Sequence, residues 1–377
     1  MKDLGVALIG TGFMGMAHAF AYRSVGAMFP HVPKARLVVV ADVTELSASR
    51  AAQQFGFEES TTDWRRAIHH PGVDVVSITT PNALHKEMAL EAMAAGKHVL
   101  CEKPLAPTSV DALEMLRAAD AAKIVTHVGF NYIQNPLLAL ARDMIAAGEL
   151  GEITDFRGIH AEDYMADPEV PHGFRLAKQG GGALADIGSH IVGMARFLLG
   201  PISEVYAQLD TLVASRPIER GSKERRPVEV DDVARLLVRF ERGCGGSIQA
   251  NWAATGRKMQ LAFELTGTKG SLVFNQERLN ELLHYRTGGD PRTSGFVRIE
   301  AGPQHPPYEN FCVAGGHQLG FNELKTIEVA KFFDAINGGP KNFPDFREGW
   351  AVQAVIDAAL QSSRGKAWVS LQGQSNP

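Results

Sequence analysis

The sequence predicts an α/β protein of two domains, the first built on a doubly wound parallel sheet and the second on an open, mostly antiparallel sheet. The chain has 377 residues, which exceeds one ordinary domain. In residues 1–128, short apolar runs alternate with helical stretches, as in a parallel sheet covered by helices. In residues 129–377, several strand-like runs follow one another directly, which indicates antiparallel pairing.

Each predicted strand of the first domain is a short apolar run that ends at a glycine or a polar residue. Such runs are typical of strands that are buried on both faces. The predicted strands are 4–9, 37–41, 73–79, 98–101 and 125–129. Between them, alanine-rich or amphipathic stretches predict helices at 14–25, 46–55, 85–95 and 110–122.

The second domain begins with a predicted helix at 136–147, which ends at Gly148. Alternating patterns then predict strands at 153–162, 203–213, 234–240, 246–252, 261–266 and 271–274. Residues 267–270 read as a hairpin turn. The charged segment 214–227 is expected to be an exposed loop, and 284–318 shows no clear period. Two helices follow, at 323–336 and 347–363.

Composition excludes several classes of protein. With 45% hydrophobic and 21% charged residues, the chain resembles an ordinary globular protein. A formal net charge of −4 and a pI of about 6.4 argue against nucleic-acid binding. The sequence contains no run of about 18 apolar residues, so no membrane span is expected.

Cysteine usage and the start of the chain favour a cytoplasmic location. Met1 is followed almost directly by the first strand, which leaves no room for a signal peptide. Cys101, Cys244 and Cys312 are too scattered for a disulfide framework or a metal site. We therefore expect a reducing compartment and no bound metal.

A glycine-rich turn joins the first strand to the first helix. Gly10, Gly12 and Gly15 fit G-x-G-x-x-G, with Phe13 and Met14 between them. Such glycines let the backbone approach a pyrophosphate, which then rests on the helix N-terminus. The pattern alone also fits a tight turn without a ligand, but the strand–turn–helix context favours a dinucleotide.

Asp42 ends the second predicted strand and indicates NAD as the cofactor. It lies farther beyond the third glycine than the usual ~20 residues, because the loop 28–33 is inserted before the strand. A carboxylate there accepts hydrogen bonds from ribose hydroxyls and repels a 2′-phosphate. No arginine follows in the next few residues, so NADP is disfavoured. The alternative is a solvated strand end.

Two further motifs follow the ends of strands, where ligands bind in such sheets. Residues 80–85 contain Thr80, Pro81, Asn82 and His85, and residues 102–104 read Glu-Lys-Pro. Lys103 alone is a common surface charge, but at this edge it is a candidate catalytic residue.

The segment 181–190 contains Asp186 and His190, four residues apart. If the chain is helical from residue 187 onward, the two side chains share one face. A carboxylate and an imidazole so placed form an orienting pair for proton transfer. A helix-capping aspartate and a packed histidine are the alternative.

Taken in order, these motifs resemble the glucose–fructose oxidoreductase/inositol dehydrogenase (Gfo/Idh/MocA) family. The matching patterns are G-x-G-x-x-G at 10–15, T-P-N-x-x-H at 80–85, A-G-K-H-V-x-x-E-K-P-L at 95–105 and G-G-x-L-x-D-x-G-x-H at 181–190. Within the family, the loop before the second strand and the first helix look most like members that act on inositols or on pyranosides such as levoglucosan.

The resemblance implies a Rossmann domain, a second α/β domain and a homodimer or homotetramer formed through the second sheet. It implies that Lys103, Asp186 and His190 are catalytic, and that Asn82 and Glu102 line the nicotinamide side. His190, oriented by Asp186, would take the hydroxyl proton while Lys103 stabilises the developing charge. The proton acceptor can be either Lys103 or His190.

Weaker candidates for substrate contacts come from several loops. They are Asn131, Tyr132, His160, Glu162, Arg175 and His317, with Tyr164 nearby. Tyr132 fits a sugar-stacking residue and a hinge-core aromatic equally well, and Arg175 also fits a surface ion pair. Neutral donors and acceptors dominate this set, which favours an uncharged polyol or sugar.

Two other functions fit the same fold. One is a sugar and NAD sensor without catalysis, which the retained Lys103, Asp186 and His190 argue against. The other is redox-assisted glycoside cleavage, in which NAD is recycled and no net NADH forms.

Overall fold

The computed structural model describes residues 2–340 and 343–371. The chain divides into two compact units. Unit 1 contains the residues up to Gln134 together with Leu319–Trp350, and unit 2 contains Asn135–Gln318 and the residues from Ala351 onward.

Unit 1 is the predicted doubly wound domain. Its first 134 residues form β1 (Leu4–Ile9), α1 (Phe13–Met28), β2 (Ala35–Ala41), α2 (Glu45–Phe55), β3 (Glu59–Thr61), α3 (Trp64–Ile68), β4 (Val75–Ile78), α4 (His85–Ala94), β5 (His98–Cys101), α5 (Ser109–Ala122) and β6 (Thr126–Val128). Among the described residues, the strands form one parallel sheet in the order β3-β2-β1-β4-β5-β6. Every predicted strand is present; β3 and α3 were missed because they are short and polar.

Unit 2 carries the predicted open sheet. It contains α6 (Pro136–Ala146), β7 (Ile153–Ala161), α7 (Ser189–Leu199), β8 (Ile202–Asp210), β9 (Ser215–Pro217), β10 (Arg225–Pro227), β11 (Val233–Phe240), β12 (Gly245–Asn251), β13 (Gln260–Gly267), β14 (Gly270–Asn275), β15 (Glu281–Arg286) and β16 (Val297–Glu300). The unassigned stretch 284–318 thus holds the end of β15 and all of β16.

From residue 319 onward the chain forms α8 (Phe321–Ile336), α9 (Phe346–Gly365) and β17 (Val369–Ser370). In the described ranges the large sheet has the order β16-β15-β14-β13-β7-β12-β11-β8-β17. Only β7 and β12 pair in parallel there, so the predicted mostly antiparallel character is confirmed.

The expected division into 1–128 and 129–377 differs from the observed one, because residues 319–350 return to unit 1. Helix α8 packs on α1, where the rings of Tyr22 and Phe333 stack 5.8 Å apart. Lys325 of α8 also donates a hydrogen bond to Glu102 of the same unit. Contacts of this kind between distant segments leave no local signal in the sequence.

The segment 214–227 is largely exposed, as expected, but it is not a loop throughout. Strands β9 and β10 pair as an antiparallel hairpin, and the Arg216 side chain is fully buried. Its guanidinium donates to the carbonyl oxygens of Met165 and Asp167, at 2.7 and 2.8 Å, and lies 3.7 Å from the Asp232 carboxylate. These partners satisfy a charge that composition alone assigns to the surface.

One face of the large sheet is open in the single chain. Along β11, Leu236 and Val238 are buried whereas Arg235, Leu237 and Arg239 are exposed. None of the described helices has the length and apolar character needed to cross a membrane.

Candidate active site

The glycine turn after β1 has the geometry of a dinucleotide loop. Gly10 has a φ of +97°, a conformation that glycine adopts without strain. A Cβ on Gly15 would lie 2.2 Å from the Gly10 carbonyl oxygen, so the first turn of α1 packs directly on the loop. Thr79, after β4, donates to that same oxygen at 2.8 Å and fixes the loop.

Gly12 gives the loop an open face. A Cβ there would meet nothing within 4 Å, and no acidic residue lies in the first turn of α1. Phe13 is two-thirds exposed, and Met14 is partly exposed. The backbone N–H groups of this turn and the helix dipole therefore suit a pyrophosphate. These residues fit the phosphates of NAD.

Asp42 lies beside this turn. Its Oδ2 accepts a hydrogen bond from the Thr11 backbone N–H at 2.8 Å and a second, very short one from the Thr11 hydroxyl. Its Oδ1 accepts from the Val43 N–H at 2.7 Å. The carboxylate is thus fixed at the end of β2, the position where a ribose diol is recognised in this fold.

An aromatic series extends from the glycine turn. The ring of Phe13 stacks on Phe321 at 5.5 Å, and Phe321 lies 6.1 Å from the ring of Tyr132. Tyr132 is partly buried. This packing gives Tyr132 a structural partner, and its contact with a sugar stays a prediction.

The 80–85 motif forms the entry to α4. Pro81 is exposed, and Asn82 is buried in a short helical turn. His85 is buried, and its ring nitrogens lie 2.9 Å from the Thr80 carbonyl oxygen and 3.0 Å from the Pro104 carbonyl oxygen. Burial lowers the pKa of His85. His85 therefore joins the end of β4 to the turn after β5, and any effect on a cofactor acts through these segments.

Glu102 lies in the interior of unit 1. Its Oε1 accepts from His18 Nε2 and from Lys325 Nζ, both at 2.9 Å, and its Oε2 accepts from the Lys103 backbone N–H at 3.2 Å. A Cβ on Gly129 would lie 2.4–2.8 Å from the carboxylate atoms. Burial opposes the charge, but Lys325 and His18 hold the pKa of Glu102 well below its usual range. Glu102 is thus a buried carboxylate that is bonded to the backbone of Lys103.

Lys103 itself is partly exposed, directly after β5 and this carboxylate. Asn131, after β6, is 2% exposed. Its contact with a ligand stays a prediction.

In unit 2, the segment 181–190 is not a simple α-helix. Leu184–Gly188 forms one wide turn of π-helix, and α7 begins at Ser189. Asp186 lies in the wide turn, and His190 lies in the first turn of α7. Such turns are rare in proteins as a whole, but they occur often at functional sites.

Tyr164 and Arg175 both hold the Asp186 carboxylate. The Tyr164 hydroxyl and the Arg175 Nε each donate to Asp186 Oδ2 at 2.8 Å. Burial and the nearby Asp186 charge raise the pKa of Tyr164. The phenol therefore stays protonated and serves only as a donor to the carboxylate.

His160 supports the same segment from β7. It is buried, with Nδ1 2.7 Å from the Ile187 carbonyl oxygen and Nε2 2.9 Å from Glu162 Oε1. Its ring lies 5.6 Å from that of His190, which is also buried. His317, by contrast, is exposed on the loop before α8.

Asp231 caps this segment and was missed in the sequence. Its Oδ2 accepts from the Leu184 N–H at 2.8 Å, and a Cβ on Gly182 would lie 2.2 Å from its Oδ1. Burial raises the pKa of Asp231 to about 6. The sequence does show two adjacent acids, Asp231 and Asp232, directly before a strand, which could have marked a functional position. Nothing in the pattern indicates that both are buried.

Comparisons with known proteins agree with this geometry. A family model described as an oxidoreductase family with an NAD-binding Rossmann fold matches residues 4–130, and the GFO/IDH/MocA C-terminal domain matches residues 138–273. Levoglucosan dehydrogenase of Pseudarthrobacter phenanthrenivorans is 40% identical over 98% of this chain and 99% of its own. Inositol 2-dehydrogenase of Rhizobium meliloti is 28% identical over 97% and 98% of the two chains.

A solved structure of levoglucosan dehydrogenase in complex with NADH and levoglucosan superposes with a TM-score of 0.94. It is 40% identical and covers 98% of this chain and 100% of its own. The resemblance inferred from the four motifs is thereby confirmed. Since a relative this similar matches nearly the whole chain, the protein belongs to the GFO/IDH/MocA family of oxidoreductases.

Proposed function

We propose that the protein is an NAD-dependent dehydrogenase that oxidises a secondary hydroxyl of an uncharged sugar, anhydrosugar, glycoside or inositol to the ketone. The observation that carries this proposal is the 40% identity to levoglucosan dehydrogenase along nearly the full length of both chains. The 28% identity to an inositol 2-dehydrogenase supports the inclusion of inositols.

The cofactor side of the proposal rests on unit 1. The open turn at Gly12 would hold the pyrophosphate, and Asp42 would accept the ribose hydroxyls. The nicotinamide side would be lined by Thr80, Pro81, Asn82 and His85. Glu102 would act indirectly, because it accepts a hydrogen bond from the Lys103 backbone N–H. The nicotinamide ring supplies the hydride acceptor when it is bound.

The chemical steps are assigned to Lys103, Asp186 and His190. His190 takes the proton of the reacting hydroxyl, because an imidazole titrates near neutral pH. Asp186 orients His190, and Lys103 donates a hydrogen bond to the reacting oxygen and stabilises its developing negative charge. Lys103 is the alternative proton acceptor.

The polar groups near Asp186 favour a neutral substrate. The charge of Arg175 is balanced by the Asp186 carboxylate, so it offers no net cation for a phosphate or a carboxylate. Further substrate contacts are proposed for residues that carry no permanent positive charge: Asn131, Tyr132, His160, Glu162 and His317. Hydroxyl groups suit such donors and acceptors.

We also propose that the open face of the large sheet joins copies of the chain into a homodimer or homotetramer. The face combines the exposed Leu237 with the ion pairs Arg235–Asp210 and Arg157–Glu264. Interfaces between copies of a chain combine an apolar core with a polar rim, and Leu237 would belong to such a core and the ion pairs to its rim. Sedimentation of the protein and of Leu237→Lys tests this: the variant should be smaller, and a monomeric parent would refute the proposal.

The three cysteines support a reducing compartment, and we propose the cytoplasm. Cys101, Cys244 and Cys312 are all free thiols. Cell fractionation with an antibody tests this location.

The function is tested with purified protein, NAD⁺ or NADP⁺ and a panel of inositols, aldoses, anhydrosugars including levoglucosan, and glycosides. Absorbance at the NADH wavelength should rise with NAD⁺ and at least one compound. Tight sugar binding without NADH formation would establish the sensor function instead. Release of an aglycone without net NADH would establish redox-assisted glycoside cleavage.

A further inference from the structure

The Asp186 carboxylate accepts hydrogen bonds from two different parts of unit 2. Tyr164 lies in the loop that follows β7, whereas Arg175 lies in a short helical turn at Phe174–Leu176. Both donors reach the same oxygen, Oδ2, at 2.8 Å. Together they fix both the direction and the charge of the carboxylate.

The Tyr164 side is itself held by buried groups. Its ring packs edge-on against Trp252 at 6.2 Å, and the Trp252 indole N–H donates to Asp232 Oδ1 at 2.6 Å. The following residues of the loop are held by Arg216, which donates to the Met165 carbonyl oxygen. The hairpin β9–β10, which contains Arg216, thus holds in place the loop that contains Tyr164.

The Arg175 side is held by stacking and by the backbone. The guanidinium lies 4.7 Å from the centre of the Phe174 ring and 5.8 Å from that of Tyr164. The Arg175 carbonyl oxygen accepts from the Gly182 N–H at 2.9 Å, which joins this turn to the segment that carries Asp186. Arg175 is therefore preorganised before any substrate binds.

We infer that Tyr164 and Arg175 are positioning residues for the dehydrogenase reaction, which act by orienting the Asp186 carboxylate and keeping it ionised. This inference rests on the proposed function. Tyr164 does not act as the proton acceptor, because burial and the Asp186 charge raise the pKa of its phenol. Arg175 supplies the balancing charge, because its guanidinium stays protonated throughout the accessible pH range.

Other ionisable groups surround this carboxylate. Glu162 acts electrostatically on both Tyr164 and Arg175, and the imidazoles of His160 and His190 belong to the same cluster. Of these groups, Arg175 is the permanent cation bonded to Asp186. Removal of Arg175 therefore favours protonation of the carboxylate.

The experiment compares Tyr164→Phe and Arg175→Gln with the parent protein, using the polyol that gives the most NADH. Tyr164→Phe keeps the ring against Trp252 and removes only the donor. Since hydrogen bonds to charged groups contribute about 1.5–3 kcal/mol, each variant should lose about tenfold to a hundredfold in kcat/KM, with the KM for NAD⁺ unchanged.

A pH profile separates positioning from general damage. In Arg175→Gln the acid limb of kcat/KM should move to higher pH, and Arg175→Lys should restore part of that shift. Tyr285→Phe and Arg278→Gln are the matched controls: Tyr285 bonds Ser294 and Arg278 pairs with Glu281, both on the surface. Both controls should keep the parent kcat/KM and pH profile.

Parent-like kcat/KM and pH profiles in Tyr164→Phe and Arg175→Gln would overturn the inference while leaving the proposed function intact. If the parent protein forms no NADH from any polyol, the proposed function fails. The same variants are then compared by calorimetric binding of levoglucosan and myo-inositol to the NADH-loaded protein. Weaker binding than in the parent supports an orienting role at a binding site, and equal or undetectable binding overturns it.

Discussion

Lys325 and Glu102 form an ion pair in the interior of unit 1, with Lys325 Nζ 2.9 Å from Glu102 Oε1. Lys325 is fully buried and also lies 2.5 Å from Glu328 Oε2 on its own helix. Glu328 in turn lies 3.2 Å from His127 Nε2. A continuous set of charged groups therefore connects α8 with the strand end that carries Lys103.

Lys325→Met should strongly destabilise the protein. The substitution leaves Glu102 and Glu328 as buried carboxylates without their cation, which costs about 3–5 kcal/mol in comparable cases. Urea unfolding monitored by tryptophan fluorescence measures the loss. Arg347→Met is the control, since its pair with Asp120 at 3.1 Å is largely exposed and is expected to contribute less than about 1 kcal/mol. Equal losses in the two variants would contradict the assignment.

Asp42→Ala should weaken the preference for NAD⁺ over NADP⁺. The carboxylate repels a 2′-phosphate and is fixed by Thr11, so its removal should raise the ratio of NADP⁺ to NAD⁺ efficiency at least about tenfold, equivalent to ~1.4 kcal/mol. Initial rates with each nucleotide give the ratio. Asp120→Ala removes a surface carboxylate of the same unit as a control, and an unchanged ratio in Asp42→Ala would count against the ribose role.

Lys103→Ala should abolish NADH formation while leaving NAD⁺ affinity within severalfold. The side chain is assigned to the reacting oxygen, whereas the phosphates are assigned to the glycine turn. Steady-state rates measure the first property, and calorimetric titration with NAD⁺ measures the second. Lys2→Ala, which removes an exposed lysine paired with Asp74, should retain activity. Substantial turnover in Lys103→Ala would remove this residue from the mechanism.

The parallel sheet of unit 1 could be predicted closely because its strands are short apolar runs between helices. The strands β1 and β5 have the predicted bounds, and α1 extends by only a few residues. The glycine turn and Asp42 were also predictable, since their roles depend on positions relative to these elements. The local hydrophobic pattern and the topology of such sheets were sufficient to predict these parts of unit 1.

The supporting charges could not be predicted in the same way. Arg216, Lys325 and Asp231 are polar residues whose burial depends on partners distant in the chain. A sequence pattern assigns such residues to the surface by default. The wide helical turn around Asp186 was likewise beyond the pattern, because its geometry depends on the cap supplied by Asp231.

Asp231→Asn should stabilise the protein at neutral pH. The pKa of Asp231 is raised from 3.8 to about 6 by burial, so the folded state holds this proton more tightly than the unfolded state. The favourable contribution is present below about pH 4 and is lost as the pH rises through 6. Asparagine stays uncharged and retains an oxygen that accepts from the Leu184 N–H. At pH 7.5 the gain should reach at most about 3 kcal/mol.

The pH dependence of this gain distinguishes the charge effect from a change in packing. The difference in melting temperature between Asp231→Asn and the parent should shrink as the pH falls from 7.5 and vanish near pH 4, where both side chains are uncharged. Asp143→Asn, at an exposed position on α6, should show no such trend. A difference that is independent of pH would mean that Asp231 is ordinarily ionised and fully compensated. The cap on the Asp186 segment would then be a charged one.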